Sequence, residues 1–109
     1  MAMSEPRKID FTDIEPVSHD SDVNDAEVDV DGTRWALVTY APGAGRADWC
    51  DTPHSGYVLD GTLTYSFEDG RADLRLTPGE AFALPPRPRH RGHNAGHEPA
   101  RLFIIDALA

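Results

Sequence analysis

The sequence is short of cysteine, of basic residues and of long apolar runs. Its single cysteine, Cys50, leaves no partner for a disulfide within the 109-residue chain, which fits a reducing cytoplasm. Asp and Glu outnumber Lys and Arg by 19 to 10, and the formal net charge of -9 argues against nucleic acid or an anionic membrane as a partner. No stretch approaches the roughly 20 apolar residues of a membrane span, and no signal-peptide core is present near the amino terminus. We therefore expect a cytoplasmic protein.

Short runs of β-forming residues, separated by turn signals, fill the chain from Ala26 onward. Glu27 to Val30 alternates between polar and apolar residues, and Asp31-Gly32 then predicts a hairpin turn. The other predicted strands cover residues 34–40, 55–59, 62–67, 72–76, 81–84 and 101–106, with a short segment at 47–50. Turns at intervals of about 8–12 residues and the lack of an amphipathic helix predict an all-β sandwich or barrel.

The length of the chain predicts one domain, preceded by an arm. Residues 1–24 are rich in Ser, Asp, Pro and Glu, with scattered apolar residues, and we expect a partly ordered arm that packs along the body or along a partner subunit. Residues 25–109 form the predicted domain. Because so short a chain leaves much of its surface exposed, we expect a homodimer, formed by arm packing or by sheet augmentation.

Candidate metal ligands lie in two stretches of the sequence. Asp48, Cys50 and His54 stand between a Pro-Gly and an Asp-Gly turn, and His90 follows a Pro-rich turn. Asp48 and Cys50 are two residues apart, so on an extended segment their side chains share one face. Thiolate, imidazole and carboxylate donors suit zinc best, with iron, nickel or copper as alternatives. The competing interpretation is a small buried cysteine beside histidines that hydrogen-bond to neighbours in an empty cavity.

The first stretch resembles the first motif of the cupin superfamily, a group of small double-stranded β-helix (jelly-roll) barrels. That motif contains His-any-His, then Glu, then Gly. Counting back from Gly61 places His54 in the Glu position, with Cys50 and Asp48 in the two His positions. The usual ligands are therefore replaced by other types.

The second stretch resembles the second cupin motif at the expected spacing. Its matching residues are Gly79, Pro85, His90 and Asn94, of which only His90 is a metal ligand of the usual type. Asn94 is expected to close a turn through its side chain. The resemblance implies a cupin jelly-roll barrel over roughly residues 26–107. From the chemistry of the residues themselves we expect a divalent-metal site of Cys50, His54 and His90, with Asp48 as a candidate fourth ligand.

The arginines of the second stretch are candidate substrate ligands. Arg87 and Arg89 lie next to the predicted mouth of the barrel with Arg91, where they could bind a carboxylate or phosphate, or could simply offset the acidic surface. Tyr57 is three residues beyond His54, so alternation points it outward, and no residue is assigned a catalytic role.

The resemblance leaves the reaction open, because cupins include dioxygenases, isomerases, decarboxylases and lyases. We expect a metal-dependent enzyme that acts on a small organic molecule inside the barrel. The alternative is a non-catalytic module that binds or senses a small molecule. A further alternative is a reactive Cys50 thiol with His54 as its base, although the acidic residues beside Cys50 count against a readily formed thiolate.

Overall fold

Two antiparallel β-sheets make up the computed structural model, which describes residues 5–20 and 22–108. A 3-10 helix at Phe11–Asp13 precedes the strands β1 (Val17–His19), β2 (Val23–Val30), β3 (Thr33–Tyr40), β4 (His54–Asp60), β5 (Leu63–Phe67), β6 (Leu74–Leu76), β7 (Ala81–Leu84), β8 (His90–His93) and β9 (Ala100–Ala107). The larger sheet has six strands in the order β1-β2-β3-β9-β4-β7, and the smaller has three in the order β6-β5-β8. The predicted all-β sandwich is confirmed.

The hairpin of β2 and β3 turns where the sequence predicted it. Asp31 and Gly32 both have positive φ angles, 48° and 80°, which is the backbone that a two-residue hairpin loop of this twist requires. The register pairs Val30 with Thr33 on either side of the turn. This turn fixes which residues of β3 face inward.

The core lies between the two sheets, where alternate residues of each strand are buried. Val38 of β3, Val58 of β4 and Leu102 of β9 face Leu63 and Tyr65 of β5, and each of these five side chains is at most 3% exposed. The opposite faces of these strands carry half-buried or exposed residues. Period-two alternation therefore decides which side chains can reach the space between the sheets.

The amino-terminal residues pack on the larger sheet. β1 pairs with β2, and the Phe11 ring meets the Phe103 ring edge-on at 6.0 Å between centroids. β2 begins at Val23, which is fully buried although it precedes the predicted domain start at residue 25. Residues 1–4 of the predicted arm lie outside the described residues. The boundary between arm and domain stays a prediction.

Three details differ from the sequence prediction. β1 forms at Val17–His19, within the predicted arm, where no strand was expected. The segment at residues 47–50 forms only an isolated bridge between Cys50 and His90, where a short strand was expected. β8 was not predicted, because its sequence His-Arg-Gly-His is short and polar, and it exists through its pairing with β5. Across the described residues, no helix has the length and apolar character needed to cross a membrane.

Candidate metal centre

A cavity of about 440 Å³ lies between the two sheets. Its lining comes from strands of both sheets and from the segment of residues 46–52 that connects β3 to β4. Backbone hydrogen bonds fix the strands in each sheet. The side chains that alternate inward therefore all point into one space between the sheets. Two polar groups line this cavity, and each is described below.

The first group brings together Cys50, His54 and His90. One donor atom from each residue, the cysteine sulfur and a ring nitrogen of each histidine, lies within 4.8 Å of the other two. Two backbone hydrogen bonds hold Cys50 against His90, N to O at 2.8 Å in one direction and 3.0 Å in the other. The Cys50 sulfur also accepts a hydrogen bond from the backbone N–H of Thr52 at 3.4 Å. The three residues are brought to one place by a bridge and by the start of β4.

His90 is buried and electrically neutral at neutral pH. Burial, and secondly the neighbouring His54, lower the pKa of His90 from 6.5 to about 4. Its Nδ1 is buried and has no hydrogen-bond partner among residues 5–20 and 22–108. A buried polar atom without a partner costs about 1–3 kcal/mol, so this imidazole is poised to accept a ligand. A neutral imidazole is also the form that binds a metal ion.

Asp106 orients His54 and was not predicted from the sequence. The Nδ1 of His54 lies 2.7 Å from Oδ2 of Asp106, and both side chains are at most 20% exposed. With Nδ1–H donating to the carboxylate, Nε2 of His54 is left as the ligand atom. Asp106 could have been found by alternation, because it continues the inward series of Leu102 and Ile104 on β9.

The three donors fit a metal ion of the zinc type. Ideal tetrahedral bonds of about 2.0–2.3 Å would place the donor atoms about 3.4–3.6 Å apart. Since the donor atoms lie within 4.8 Å of one another, metal binding needs a contraction of at most about 1.4 Å, which is within reach of side-chain rotation. Three protein ligands plus one open position is the pattern of catalytic rather than structural zinc sites.

The predicted fourth ligand, Asp48, lies apart from this group. Its side chain is exposed and lines the same cavity, but the described residues place only the other three donors within mutual reach. Asp48 as a ligand stays a prediction.

Of the arginines in the second stretch, Arg91 is the one that lines the cavity. Its guanidinium carbon lies 4.2 Å from the centre of the Trp49 ring, which also lines the cavity. Arg89 pairs with Glu68 on the surface, and Arg87 is exposed. Neither Arg87 nor Arg89 contributes to the cavity as the described residues form it, and their role in substrate binding stays a prediction.

A second polar group, also not predicted, joins Asp25, Arg46 and Tyr40. The Nη2 of Arg46 donates to both carboxylate oxygens of Asp25 at 3.0 and 3.1 Å, and its Nε donates to the Tyr40 hydroxyl at 3.3 Å. Burial raises the pKa of Tyr40, and it raises that of nearby Tyr65 well above 10. These groups put hydrogen-bond donors in the cavity that contains the metal ligands.

The family model described as a cupin domain matches residues 36–106, which is well over half of the chain. The chain belongs to the cupin family. The matched range begins in β3 and ends at Asp106, so it contains Cys50, His54 and His90. A search of curated proteins found no match to the sequence.

Solved structures similar to this cupin include several enzymes. A polyketide cyclase from Streptomyces resistomycificus superposes with a TM-score of 0.80 at 16% identity, covering 96% of this chain and 81% of that one. A sugar phosphate isomerase of the cupin superfamily from Silicibacter pomeroyi gives 0.76 at 18% identity, with 94% and 76% covered. An oxalate decarboxylase from Bacillus subtilis, a protein with Mn(II) centres, gives 0.77 at 21% identity, with 90% and 29% covered. At these identities the likeness confirms the jelly-roll fold and leaves the reaction open.

Proposed function

We propose that this cupin is a divalent-metal-dependent enzyme that acts on a small organic molecule in the cavity between its sheets. The observation that supports the proposal is the convergence of Cys50, His54 and His90, whose donor atoms lie within 4.8 Å of one another in the wall of a 440 Å³ cavity. Zinc is the ion most compatible with one thiolate and two imidazoles, with iron, nickel or copper as alternatives. A bound ion would supply Lewis-acid polarisation of a substrate oxygen.

The chain's own residues would prepare this site before a metal binds. Asp106 fixes the ring of His54, so that one nitrogen is left for the ion. Burial keeps His90 neutral, so that no proton competes for its lone pair at neutral pH. Asp48, on the wall of the same cavity, is our proposed fourth ligand.

A non-catalytic cupin that binds or senses a small molecule is the second candidate. The replacement of the usual His, His and Glu by Asp48, Cys50 and His54 favours it, because a changed ligand set can accompany a lost reaction. The two candidates differ in one observable: an enzyme converts its ligand, whereas a binding module releases it unchanged.

The homodimer and the cytoplasmic location are further parts of the proposal. Tyr57 and Ile105 are 44% and 37% exposed on the outer face of the larger sheet, beside Phe103, which favours association through that face. Light scattering coupled to size-exclusion chromatography tests whether the protein is a dimer. A species of 12.0 kDa at micromolar concentration would be a monomer and would contradict the dimer.

Metal content of the purified protein tests the proposed function. We expect close to one ion per chain by inductively coupled plasma mass spectrometry after reconstitution, and little in Cys50→Ala or His90→Ala. His97→Ala is the matched control, because His97 is exposed and outside the cavity lining of the described residues. Metal in the wild type and in the control directs attention to screens for isomerase, lyase, cyclase and dioxygenase activity. No metal after incubation with Zn(II), Fe(II), Ni(II) or Mn(II) would contradict the proposal and leave the binding module to be sought by thermal-shift screening.

A further inference from the structure

Tyr65 is a buried tyrosine whose ring is fixed beside the metal ligands. It alternates inward on β5 between Leu63 and Phe67 and is 3% exposed. Its ring stands edge-on to the His90 ring, with centroids 5.6 Å apart at 88°, and packs on Phe82 at 5.3 Å. Contacts on two sides leave this ring little freedom to move. It lines the same cavity as the three candidate ligands.

Gly92 makes the room for this tyrosine. It lies opposite Tyr65 in the pairing of β5 with β8. A Cβ atom at residue 92 would come within 3.0 Å of Cε1 of Tyr65 and within 2.8 Å of the Tyr40 hydroxyl. Because glycine stands there, two phenol rings can approach each other in the cavity wall.

The hydrogen atoms of both phenols are available for donation. The Tyr40 hydroxyl accepts a hydrogen bond from Arg46, which leaves its own hydrogen to donate. Among the described residues, Tyr65 lines the cavity, its hydroxyl takes part in no side-chain hydrogen bond, and that oxygen is not one of the fully enclosed atoms without a partner. The hydroxyl is therefore open to the cavity, where an acceptor atom of a ligand can take the hydrogen bond that water would otherwise accept. An ordinary phenol, with a pKa near 10, is protonated at neutral pH and donates one hydrogen bond.

The charges around the cavity indicate what kind of oxygen that partner carries. The charged side chains of the lining are the acids Asp20, Asp25, Glu27, Asp48, Asp51 and Asp106, against Arg34, Arg46 and Arg91, so carboxylates remain in excess when the charge of a divalent ion is added. An excess of carboxylates disfavours a ligand group with a permanent negative charge. A neutral carbonyl oxygen accepts hydrogen bonds without that cost, and it gains negative charge only as it becomes enolate-like or tetrahedral.

We propose that Tyr65 donates a hydrogen bond to a carbonyl oxygen of the substrate, and that the substrate class is accordingly carbonyl compounds. The inference rests on the proposed function, since the carbonyl group would be bound beside the ion held by Cys50, His54 and His90. The phenol keeps its proton throughout, and its O–H dipole stabilises charge that builds on the oxygen. The Tyr40 hydroxyl, held by Arg46, is a second donor in the same cavity.

Binding of hydroxyacetone, a small uncharged carbonyl compound that can reach the ion through its carbonyl and hydroxyl oxygens, tests the inference. Isothermal titration calorimetry on the zinc-loaded protein should give a Kd about tenfold higher for Tyr65→Phe than for wild type, the loss expected for one hydrogen bond. Tyr57→Phe is the matched control, because Tyr57 is 44% exposed on the outer face, and it should stay within twofold of wild type. Equal affinities in all three proteins, or no binding to zinc-loaded wild type, would overturn the inference.

A second measurement does not depend on how a variant folds. The chain has three tyrosines, so wild-type protein labelled with 13C at the phenol ring carbon that bears oxygen gives three resonances. Saturation with hydroxyacetone should shift the Tyr65 resonance and leave that of Tyr57 in place. An unshifted Tyr65 resonance in metal-loaded protein overturns this inference alone. Metal uptake is measured before the probe is added. A protein that binds no metal at that step would overturn the proposed function together with the inference.

Discussion

Replacing Asp106 should weaken metal binding without removing any proposed ligand. In the wild type, Oδ2 of Asp106 lies 2.7 Å from Nδ1 of His54, and the Asp106 side chain is only 11% exposed. Asp106→Asn keeps the shape of the side chain and an acceptor oxygen but removes the charge. Asp106→Ala removes the acceptor altogether and lets the His54 ring rotate.

The expected loss of metal affinity follows from the contact between Asp106 and His54. A carboxylate that orients a metal-binding histidine contributes about 10–100-fold to metal affinity. We expect Asp106→Asn to lie at the lower end, because a neutral amide oxygen can still accept from Nδ1–H. Asp106→Ala should approach the upper end, about 2.7 kcal/mol, because the free ring must be ordered when the ion binds.

Competition with a fluorescent zinc chelator measures this effect directly. Asp60→Asn serves as the control, since it removes the same charge from an exposed side chain that pairs with Arg101 on the surface. Its zinc affinity should stay within twofold of wild type. If Asp106→Ala also bound zinc within twofold of wild type, while remaining folded by circular dichroism, the orienting role of Asp106 would be refuted.

Three further predictions concern stability, each measured by urea unfolding of the metal-free protein. In Gly56→Ala the new Cβ would lie 2.3 Å from Cζ of Phe82, so we expect a loss of about 1–3 kcal/mol, and a loss under 0.5 kcal/mol would contradict the packing described. Asn94 donates to the carbonyl oxygens of Tyr40, Ala41 and Glu98 and is 1% exposed, so Asn94→Ala should cost about 2–3 kcal/mol, and a neutral effect would contradict that network. The pKa of His90 is about 4 in the folded protein, against 6.5 for an unperturbed histidine, so between these pH values the unfolded chain binds a proton that the folded chain does not. The free energy of unfolding should therefore fall by up to about 3 kcal/mol as the pH is lowered from 6.5 to 4. The same pH profile in His90→Gln would show that another group is responsible.

The fold was predictable because local signals and the global pattern agree. Asp31-Gly32 turns the chain in two residues, and the alternation that follows Thr33 carries through to Tyr40. The candidate ligands were found for the same reason, since Cys50, His54 and His90 stand next to turns that can be read in the sequence. β8 was not predicted, because a polar strand of four residues shows no hydrophobic periodicity of its own.

The surroundings of the ligands depend on register, which the sequence does not reveal locally. Asp106 meets His54 because β4 pairs with β9 such that Ser55 faces Ile105, across 50 residues of chain. Arg46, in the connection between β3 and β4, reaches Asp25 of β2 across 21 residues of chain. Each partner has an ordinary residue type at an ordinary position, and only the tertiary structure makes the contact. For this reason the sequence points to the candidate ligands and does not point to the residues that contact them.

X-ray absorption spectroscopy of the zinc-loaded protein tests the central claim most directly, because it reports the atoms bonded to the ion. A site built from Cys50, His54 and His90 predicts one sulfur at about 2.3 Å and two imidazole nitrogens at about 2.0–2.1 Å, with the remaining position filled by oxygen or nitrogen. In Cys50→Ser the sulfur shell should disappear. A first shell of oxygen and nitrogen alone in the wild type would contradict the site and the function proposed from it.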